Sequence, residues 1–299
     1  MSVTVSMISF NTKDLTKNLV SQLLEQDYKG RLEIVVIDNN SSDGSAELLE
    51  EEFKGEIKVI KNEVNLGFAI AQNQILKNIK TDFAVVLNPD TSIPKNLISA
   101  MIKFMDENAK CGVASCKILG FDGVLHSNGG DFPEGLALYS WLFNLEVLGV
   151  KKNFHRSEKP YFEKPHKVDW VGGTFMIIRK EVLEKTGGFN EDYFMYFEDV
   201  EFCYLVNKKG FEVWINPAVE IKHKSGASSD DPNFKQWCGE FKGVINFYKK
   251  TLFNRMAGLL ASMFIKIFIY ISTILRILAF IALGRFNTAK TYGKVFISI

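Results

Sequence analysis

Phe83-Ala84-Val85-Val86-Leu87-Asn88-Pro89-Asp90-Thr91 is the stretch on which the reading of this 299-residue chain turns. Phe83 to Leu87 is apolar without alternation, the pattern of a parallel strand covered on both faces. It stops at a polar turn. Ligands of open α/β sheets bind just beyond the carboxyl ends of the strands. Asp90 therefore stands where a phosphate or a hard cation would be met, and carboxylate oxygen suits Mg²⁺ or Mn²⁺ bridging phosphate oxygens. Asn-Pro-Asp is also an ordinary turn sequence, so the weight rests on its neighbours.

Upstream, strand and helix patterns alternate. Val3 to Ser9 predicts a strand ending at Phe10-Asn11-Thr12, and leucines at helical spacing predict a helix over Asp14 to Gln26. Leu32 to Ile37 is a second strand, followed by Asp38-Asn39-Asn40-Ser41-Ser42-Asp43-Gly44, either a plain turn or a ligand-facing loop. A carboxylate there could hold a ribose hydroxyl or a base edge. A helix over Ser45 to Glu51 and a strand over Ile57 to Lys61 come next. Asn65-Leu66-Gly67-Phe68 then opens a helix running to Ile79, where Gly67 would let the backbone approach a ligand closely. Pro94 opens another helix, reaching about Asn108. This alternation predicts a doubly wound, mostly parallel sheet. No GxGxxG follows the first strand, which argues against a dinucleotide-dependent dehydrogenase.

Downstream the pattern loosens over Gly112 to Lys167, and the basic stretch Lys151 to Lys167 reads as a mobile surface loop. Order returns at Val168-Asp169-Trp170-Val171-Gly172-Gly173-Thr174, a strand over Phe175 to Ile178 and a short helix over Arg179 to Lys185. The second chemical stretch is Phe189 to Asp199, where carboxylates and amides flank aromatic residues before a helix over Val200 to Lys208. Glu198 and Asp199 could equally be first-turn acids favoured by capping and the helix dipole. Two short strands, Phe211 to Ile215 and Ala218 to Ile221, lead to His223, and an amphipathic helix over Phe234 to Tyr248 closes this part.

Composition narrows the classes. With 46% hydrophobic residues the chain can bury a large core, and a net charge of +1 without a basic, aromatic-studded stripe gives no support for nucleic acid as a partner. The four cysteines form no CxxC pair and read as reduced core residues, consistent with the cytosol. Met1-Ser2-Val3-Thr4-Val5 leads straight into a strand, so a secretory signal is not expected.

Together the stretches resemble the inverting nucleotide-sugar glycosyltransferases of family two, in their rhamnosyltransferase-like branch. The resemblance is carried, in order over about residues 3–227, by Phe10-Asn11, Val36 to Gly44, Asn65 to Phe68, Leu87 to Asp90, Gly172-Gly173, Gly188-Phe189, Phe194 to Asp199 and Pro217 to His223. It implies a GT-A fold, a nucleoside-diphosphate sugar donor (dTDP- or UDP-linked) and a divalent metal, Mg²⁺ or Mn²⁺. It further implies that Phe10, Asn11, Asp38, Asn40, Asn65, Gly67, Asn88 and Asp90 bind the donor. Trp170, Gly172, Gly173, Tyr196 and Glu198 would bind the acceptor, a glycan or polyprenyl-linked glycan. Asp199 would be the general base, and Asp90 and His223 would approach the metal. Several positions depart from the family's pattern: Asn88 replaces the first acid of DxD, Leu205 stands where many relatives have arginine, and Ala71-Gln72 replaces a common Gly-Asn. Asn88 and Leu205 keep open a competing reading, a catalytically impaired nucleotide-sugar-binding subunit of a membrane glycan-assembly complex, whereas Asp199 and His223 count against it. A nucleotidyltransferase would want a glycine-rich basic loop, and Ser9-Phe10-Asn11-Thr12 is not one.

The end of the chain differs in kind. Met256 to Gly284 is almost wholly apolar, cut by Lys266 and Arg276 and flanked by basic residues. A central arginine in lipid costs at least roughly 2.5 kcal/mol. A helix or helical pair lying in the membrane interface is therefore expected rather than a span, on the inner face of the cell membrane; an apolar helix packed on the catalytic domain or in a homodimer interface is the alternative. The expected division is a catalytic domain over 1–250 (donor half 1–110, acceptor half 111–250) and a membrane-associating helical segment over 251–299.

Overall fold

The computed structural model describes residues 1–226 and 232–299; Ala227, where the resemblance ends, lies outside them. The first part alternates as the periodicity predicts: β1 (Ser2–Ser9), α1 (Lys13–Leu24), β2 (Arg31–Asp38), α2 (Ser45–Glu52), β3 (Lys58–Lys61), α3 (Gly67–Leu76) and β4 (Phe83–Leu87). β5 (Thr91–Ser92) and α4 (Leu97–Glu107) follow, then β6 (Cys111–Leu119), β7 (Gly129–Gly130) and α5 (Gly135–Phe143). Next come β8 (His166–Val168), β9 (Trp170–Val171), β10 (Phe175–Arg179), α6 (Lys180–Thr186), α7 (Glu198–Lys208) and β11 (Glu212–His223). Three helices end the chain: α8 (Pro232–Phe247), α9 (Arg255–Ala282) and α10 (Phe286–Ser298).

A nine-stranded sheet runs β3-β2-β1-β4-β10-β6-β11-β5, with β8 added on β11. β1 pairs in parallel with β2 on one side and β4 on the other, so the strand order reverses at β1. That reversal opens a crevice at the carboxyl ends of β1 and β4, and Phe10, Asp38 and Asn88 all leave the sheet on that edge. β10 inserts antiparallel between β4 and β6, after which β6 and β11 pair in parallel. The sheet is thus parallel in its first half and mixed in its second. β4 is buried at every residue, as an apolar run without alternation requires.

Four expectations need correction. Cys111 to Leu119 is no loosened stretch but a long central strand, buried on both faces, with the Ser115 hydroxyl donating to the Phe175 carbonyl at 2.7 Å. The basic stretch Lys151 to Lys167 is not a free surface loop, because Phe154 and Phe162 are fully buried in it. The two short strands after Phe211 are one strand whose register slips between Asn216 and Glu220, around Pro217, which has no N–H for the ladder. Lys266 and Arg276 do not divide the apolar end either, because α9 is continuous over 28 residues.

Candidate active site

The turns at the carboxyl edge are tied together by polar side chains. Asn39, buried just beyond β2, donates through Nδ2 to Asn65 Oδ1 (2.9 Å) and the Gly67 carbonyl (3.2 Å), and accepts from the Leu66 N–H (3.1 Å). Asn65 Oδ1 also accepts the Gly67 N–H at 2.9 Å. Asn65 thus braces the loop with the side chain that was expected to face donor. Asn11, in left-handed backbone at φ 53°, accepts the Ser42 N–H at 2.8 Å. Asn40 is likewise left-handed and exposed beside it, and Phe10 is half-buried. Asp38 is buried; Oδ2 accepts the Ser41 N–H at 3.0 Å, while Oδ1 has no hydrogen-bond partner among the described residues. A buried orphan oxygen at a strand end calls for a ligand or water.

Gly67 does provide a close approach, but to its own chain. At φ 77° it lies against the Phe194 carbonyl and ring, where a Cβ would collide with both, and the next N–H, of Phe68, donates to that carbonyl at 2.6 Å. The helix after β3 and the aromatic stretch before α7 are locked together here.

Beyond β4, the Asn88 N–H donates to the Thr174 carbonyl (2.9 Å), and the Lys224 N–H to the Asp90 carbonyl (3.0 Å). Thr91 registers opposite His223 in the β5–β11 ladder. Asp90 Oδ1 and His223 Nε2 come within 3.1 Å, both side chains largely covered. The pair is close but poorly aligned, since Nε2 makes no hydrogen bond. His126 stands edge-on to His223 with ring centroids 6.0 Å apart, and burial, then the His223 charge, holds it below the usual imidazole range. A cleft of about 540 Å³ opens here, lined by Leu15, Phe121, Asp122, His126, His223 and Lys224.

The second carboxylate group arrives from the other side. Tyr196 and Phe197 are both left-handed, at φ 71° and 81°, an arrangement costing about 1–2 kcal/mol per residue. Such strain collects at functional sites. Here it turns the chain sharply so that Glu198 and Asp199 begin α7. Asp199 Oδ2 accepts the Gly173 N–H (2.9 Å) and Oδ1 the Val200 N–H (2.8 Å). Burial still pushes its carboxyl above the ordinary aspartate value, against the two N–H groups that lower it. Glu198 is buried with Oε2 unpartnered, and burial followed by the Asp199 charge holds it well above the usual range, favouring the neutral acid. Burial, then the charges of Glu240, Glu198 and Asp90, pushes the Tyr196 phenol up to about 12.

Gly172-Gly173-Thr174 joins the two groups, since Gly173 holds Asp199 and Thr174 holds Asn88. Trp170, expected to face the acceptor, lies instead in the core beneath, its indole N–H donating to the Phe154 carbonyl at 3.1 Å. Sequence reasoning missed Asn39, His126 and Lys224. Asn39 and Lys224 each neighbour a candidate residue, whereas His126 falls where the sequence has no periodic signal.

A family model described as Glycosyl transferase family 2 matches residues 4–187. The low-salt glycan biosynthesis hexosyltransferase Agl10 of Haloferax volcanii is 28% identical over 74% of this chain and 66% of its own length. An N-acetylglucosaminyl-diphospho-decaprenol L-rhamnosyltransferase of Mycobacterium tuberculosis is 23% identical over 67% and 69%, and the rhamnosyltransferase WbbL of Escherichia coli 26% over 61% and 68%. The chain thus spans about two thirds of the length of these relatives. Among solved structures, the mannosyltransferase PcManGT of Pyrobaculum calidifontis, in complex with GDP-Man and Mn²⁺, superposes with a TM-score of 0.61 at 15% identity. That match covers 99% of this chain and 85% of the other. GalNAc-T7 with UDP, GalNAc and Mn²⁺ gives 0.60 at 16% identity, over 83% of this chain and 48% of its own. These likenesses show a GT-A fold. With the match running from β1 to the end of α6, over the turns that carry the donor-edge residues and the glycines that hold Asp199, the chain belongs to glycosyl transferase family 2.

Proposed function

We propose that the chain is an inverting glycosyltransferase, moving a sugar, rhamnose foremost, from a dTDP- or UDP-linked donor to a hydroxyl of a polyprenyl-linked glycan. One observation carries this reading: Asp199, partly exposed and raised in proton affinity, is held by Gly173 in the loop that also fixes the end of β4. Its carboxylate takes the proton of the acceptor hydroxyl as that oxygen bonds to the anomeric carbon. The bond to the diphosphate breaks on the opposite face, so one displacement inverts the centre and no carboxylate nucleophile is needed. The names of the Mycobacterium tuberculosis and Escherichia coli relatives support rhamnose, and that of the Mycobacterium tuberculosis relative a lipid diphosphate acceptor.

A divalent cation, Mg²⁺ or Mn²⁺, fits the Asp90–His223 corner. Carboxylate oxygen and an imidazole nitrogen without a hydrogen bond converge there. Among the described residues no group of three or more His, Cys, Asp or Glu could hold a metal. Diphosphate oxygens and water would supply the other ligands, as is usual for Mg²⁺. When bound, the cation stabilises the charge that develops on the leaving diphosphate.

We place the chain on the cytoplasmic face of the membrane, with residues 1–250 catalytic and the exposed face of α9 in the lipid interface. Supporting this, residues 249–299 hold eight lysines and arginines and no carboxylate side chain, which leaves the rest of the chain at −7 against the total of +1. Anionic lipid attracts such a segment.

The test is turnover over a panel of dTDP- and UDP-linked sugars with a polyprenyl-diphosphate-linked glycan. Asp199→Asn is expected to lose on the order of 10²-fold or more in turnover with donor affinity within a few-fold. Undiminished transfer by that variant sinks the base assignment. No turnover by the wild type on any member would favour the binding-subunit reading. Asp90→Ala and chelator are each expected to weaken donor binding without adding to one another; full activity in excess chelator refutes the metal.

A further inference from the structure

Asn128, which no motif marks, is fixed beside Asp199 by the short ladder that leads into the Gly172-Gly173 turn. β7 and β9 pair antiparallel, with Gly129 opposite Val171. One step further along, the Gly172 N–H donates to the Asn128 carbonyl at 3.4 Å. Asn128 is only 3% exposed, and β6 holds its side chain. Nδ2 donates to Ser115 Oγ at 2.5 Å and to the Cys116 carbonyl at 3.4 Å.

Those partners decide which way the amide faces. The Ser115 hydroxyl gives its proton to the Phe175 carbonyl at 2.7 Å, so towards Asn128 its oxygen can only accept. The Cys116 carbonyl is an acceptor as well. Both require the NH₂ end of the amide, and Oδ1 is turned away from them. There it receives no hydrogen bond among the described residues.

What Oδ1 faces is the place that a side chain at Gly172 would take. A Cβ there would stand 2.9 Å from Asn128 Oδ1, 3.7 Å from Asp199 Oδ2 and 4.0 Å from the edge of the Trp170 ring. A Cβ at Gly173 would stand 3.9 Å from the same Asp199 oxygen. The two glycines thus leave bare backbone beside Asp199, with a second, neutral oxygen across it. An asparagine serving only the fold would have that oxygen paired, as Asn39 and Asn73 do with backbone N–H groups. A buried acceptor without a donor is costly and calls for one. A second hydroxyl on the molecule that gives Asp199 its proton supplies it.

We propose that Asn128 is a specificity-determining residue of the acceptor site, its Oδ1 accepting a hydrogen bond from the hydroxyl next to the one that attacks. The acceptor it selects is a sugar with two adjacent free hydroxyls, one turned to Asp199 and its neighbour to Asn128. This rests on Asp199 being the base of sugar transfer.

The experiment measures transfer from the dTDP- and UDP-linked donors to N-acetylglucosamine joined through diphosphate to a short prenyl chain, and to its mono-deoxy forms. The wild-type chain is expected to lose roughly tenfold or more in kcat/KM when the hydroxyl neighbouring the new bond is removed. Asn128→Ala should lose about as much on the intact acceptor and no more on that deoxy form, because both changes remove one contact. A residue that only braces β6 against β7 would lower transfer to both acceptors by the same factor and keep the wild-type preference. That result overturns the proposal, as does a wild type indifferent to every mono-deoxy form that still reacts. If Asn128→Ala does not fold, Gly172→Ala decides in its place, since its methyl would displace Oδ1 and must erase the same preference. Transfer by the wild type to none of these acceptors refutes the functional reading itself, and the inference falls with it.

Discussion

Gly67 shows how a residue expected at a ligand can be fixed by the chain itself. Its left-handed φ and the Phe194 carbonyl against its Cα leave no room for a side chain, and neither neighbour is a flexible side-chain end that could swing away. Gly67→Ala should therefore cost about 2 kcal/mol or more, combining the left-handed penalty with the collision. For a chain of this size that lowers Tm by roughly 3 °C. A melt matching wild type would show that the Gly67–Phe194 contact is not held in solution. Asp199 is a milder case, a first-turn acid that is also held from a distant loop. Its Oδ1 takes the Val200 N–H in the first turn of α7, as a local acid would, while Oδ2 reaches across to Gly173. The sequence could place Asp199 at a helix start; only the fold supplies Gly173. Asn39 carries no legible signal in the sequence because its four side-chain partners, Asn62, Asn65, Leu66 and Gly67, lie 23 to 28 residues away.

Elements were legible where one physical signal dominated. β4 and the end of β2 are unbroken apolar runs, β1 alternates apolar with small polar residues, all three end in polar turns, and α1 has leucines at helical spacing. β6 was missed because Gly112, Ser115 and Lys117 interrupt its apolar character. Ser115 is tolerated in a buried strand only because it donates to Phe175 and accepts from Asn128, both remote in sequence. The stretch 151–167 misled for the opposite reason, its lysines masking two phenylalanines that the core takes up. α8 was recognised as amphipathic, but which face mattered could not be seen. Gly239 and Gly243, four residues apart, let it press on Tyr196 and Phe197, and Trp237 on its other side stacks against Trp141 and packs on Tyr292. One helix therefore connects the turn before Asp199 to the C-terminal helices.

At the scale of the whole chain, α9 is long and apolar enough to cross a bilayer, at about 42 Å for its 28 residues. Its contacts argue for a different posture. Gly258, Ser262, Ile265, Ile269 and Ser272 face inward, Ser272 bonds to the Leu142 carbonyl, and Lys266 donates to the terminal Ile299 carbonyl at 2.9 Å. Arg276 donates to the Trp141 carbonyl at 2.8 Å and lies over the Trp237 ring, so its charge is spent on the protein rather than on lipid. A helix fastened along its side over that length lies against the catalytic part instead of running away from it. What remains outward is Met256, Leu260, Phe264, Ile267, Ile271 and Leu278, all exposed and three to seven residues apart. An apolar face of that extent is unusual on a soluble monomer. Cutting the chain after Lys250 would uncover Trp237 and strand the carbonyls of α5, so loss of binding by such a fragment would be ambiguous. Charges on the outward face are cleaner. Leu260→Glu, Phe264→Glu and Ile271→Glu together leave every inward contact intact, and should abolish flotation with phosphatidylglycerol-rich liposomes while the wild-type chain rises. If both float, or neither does, the in-plane membrane reading fails. Should the triple variant instead turn a wild-type dimer into a monomer in sedimentation equilibrium, with no flotation by either, the face belongs to a second copy of the chain.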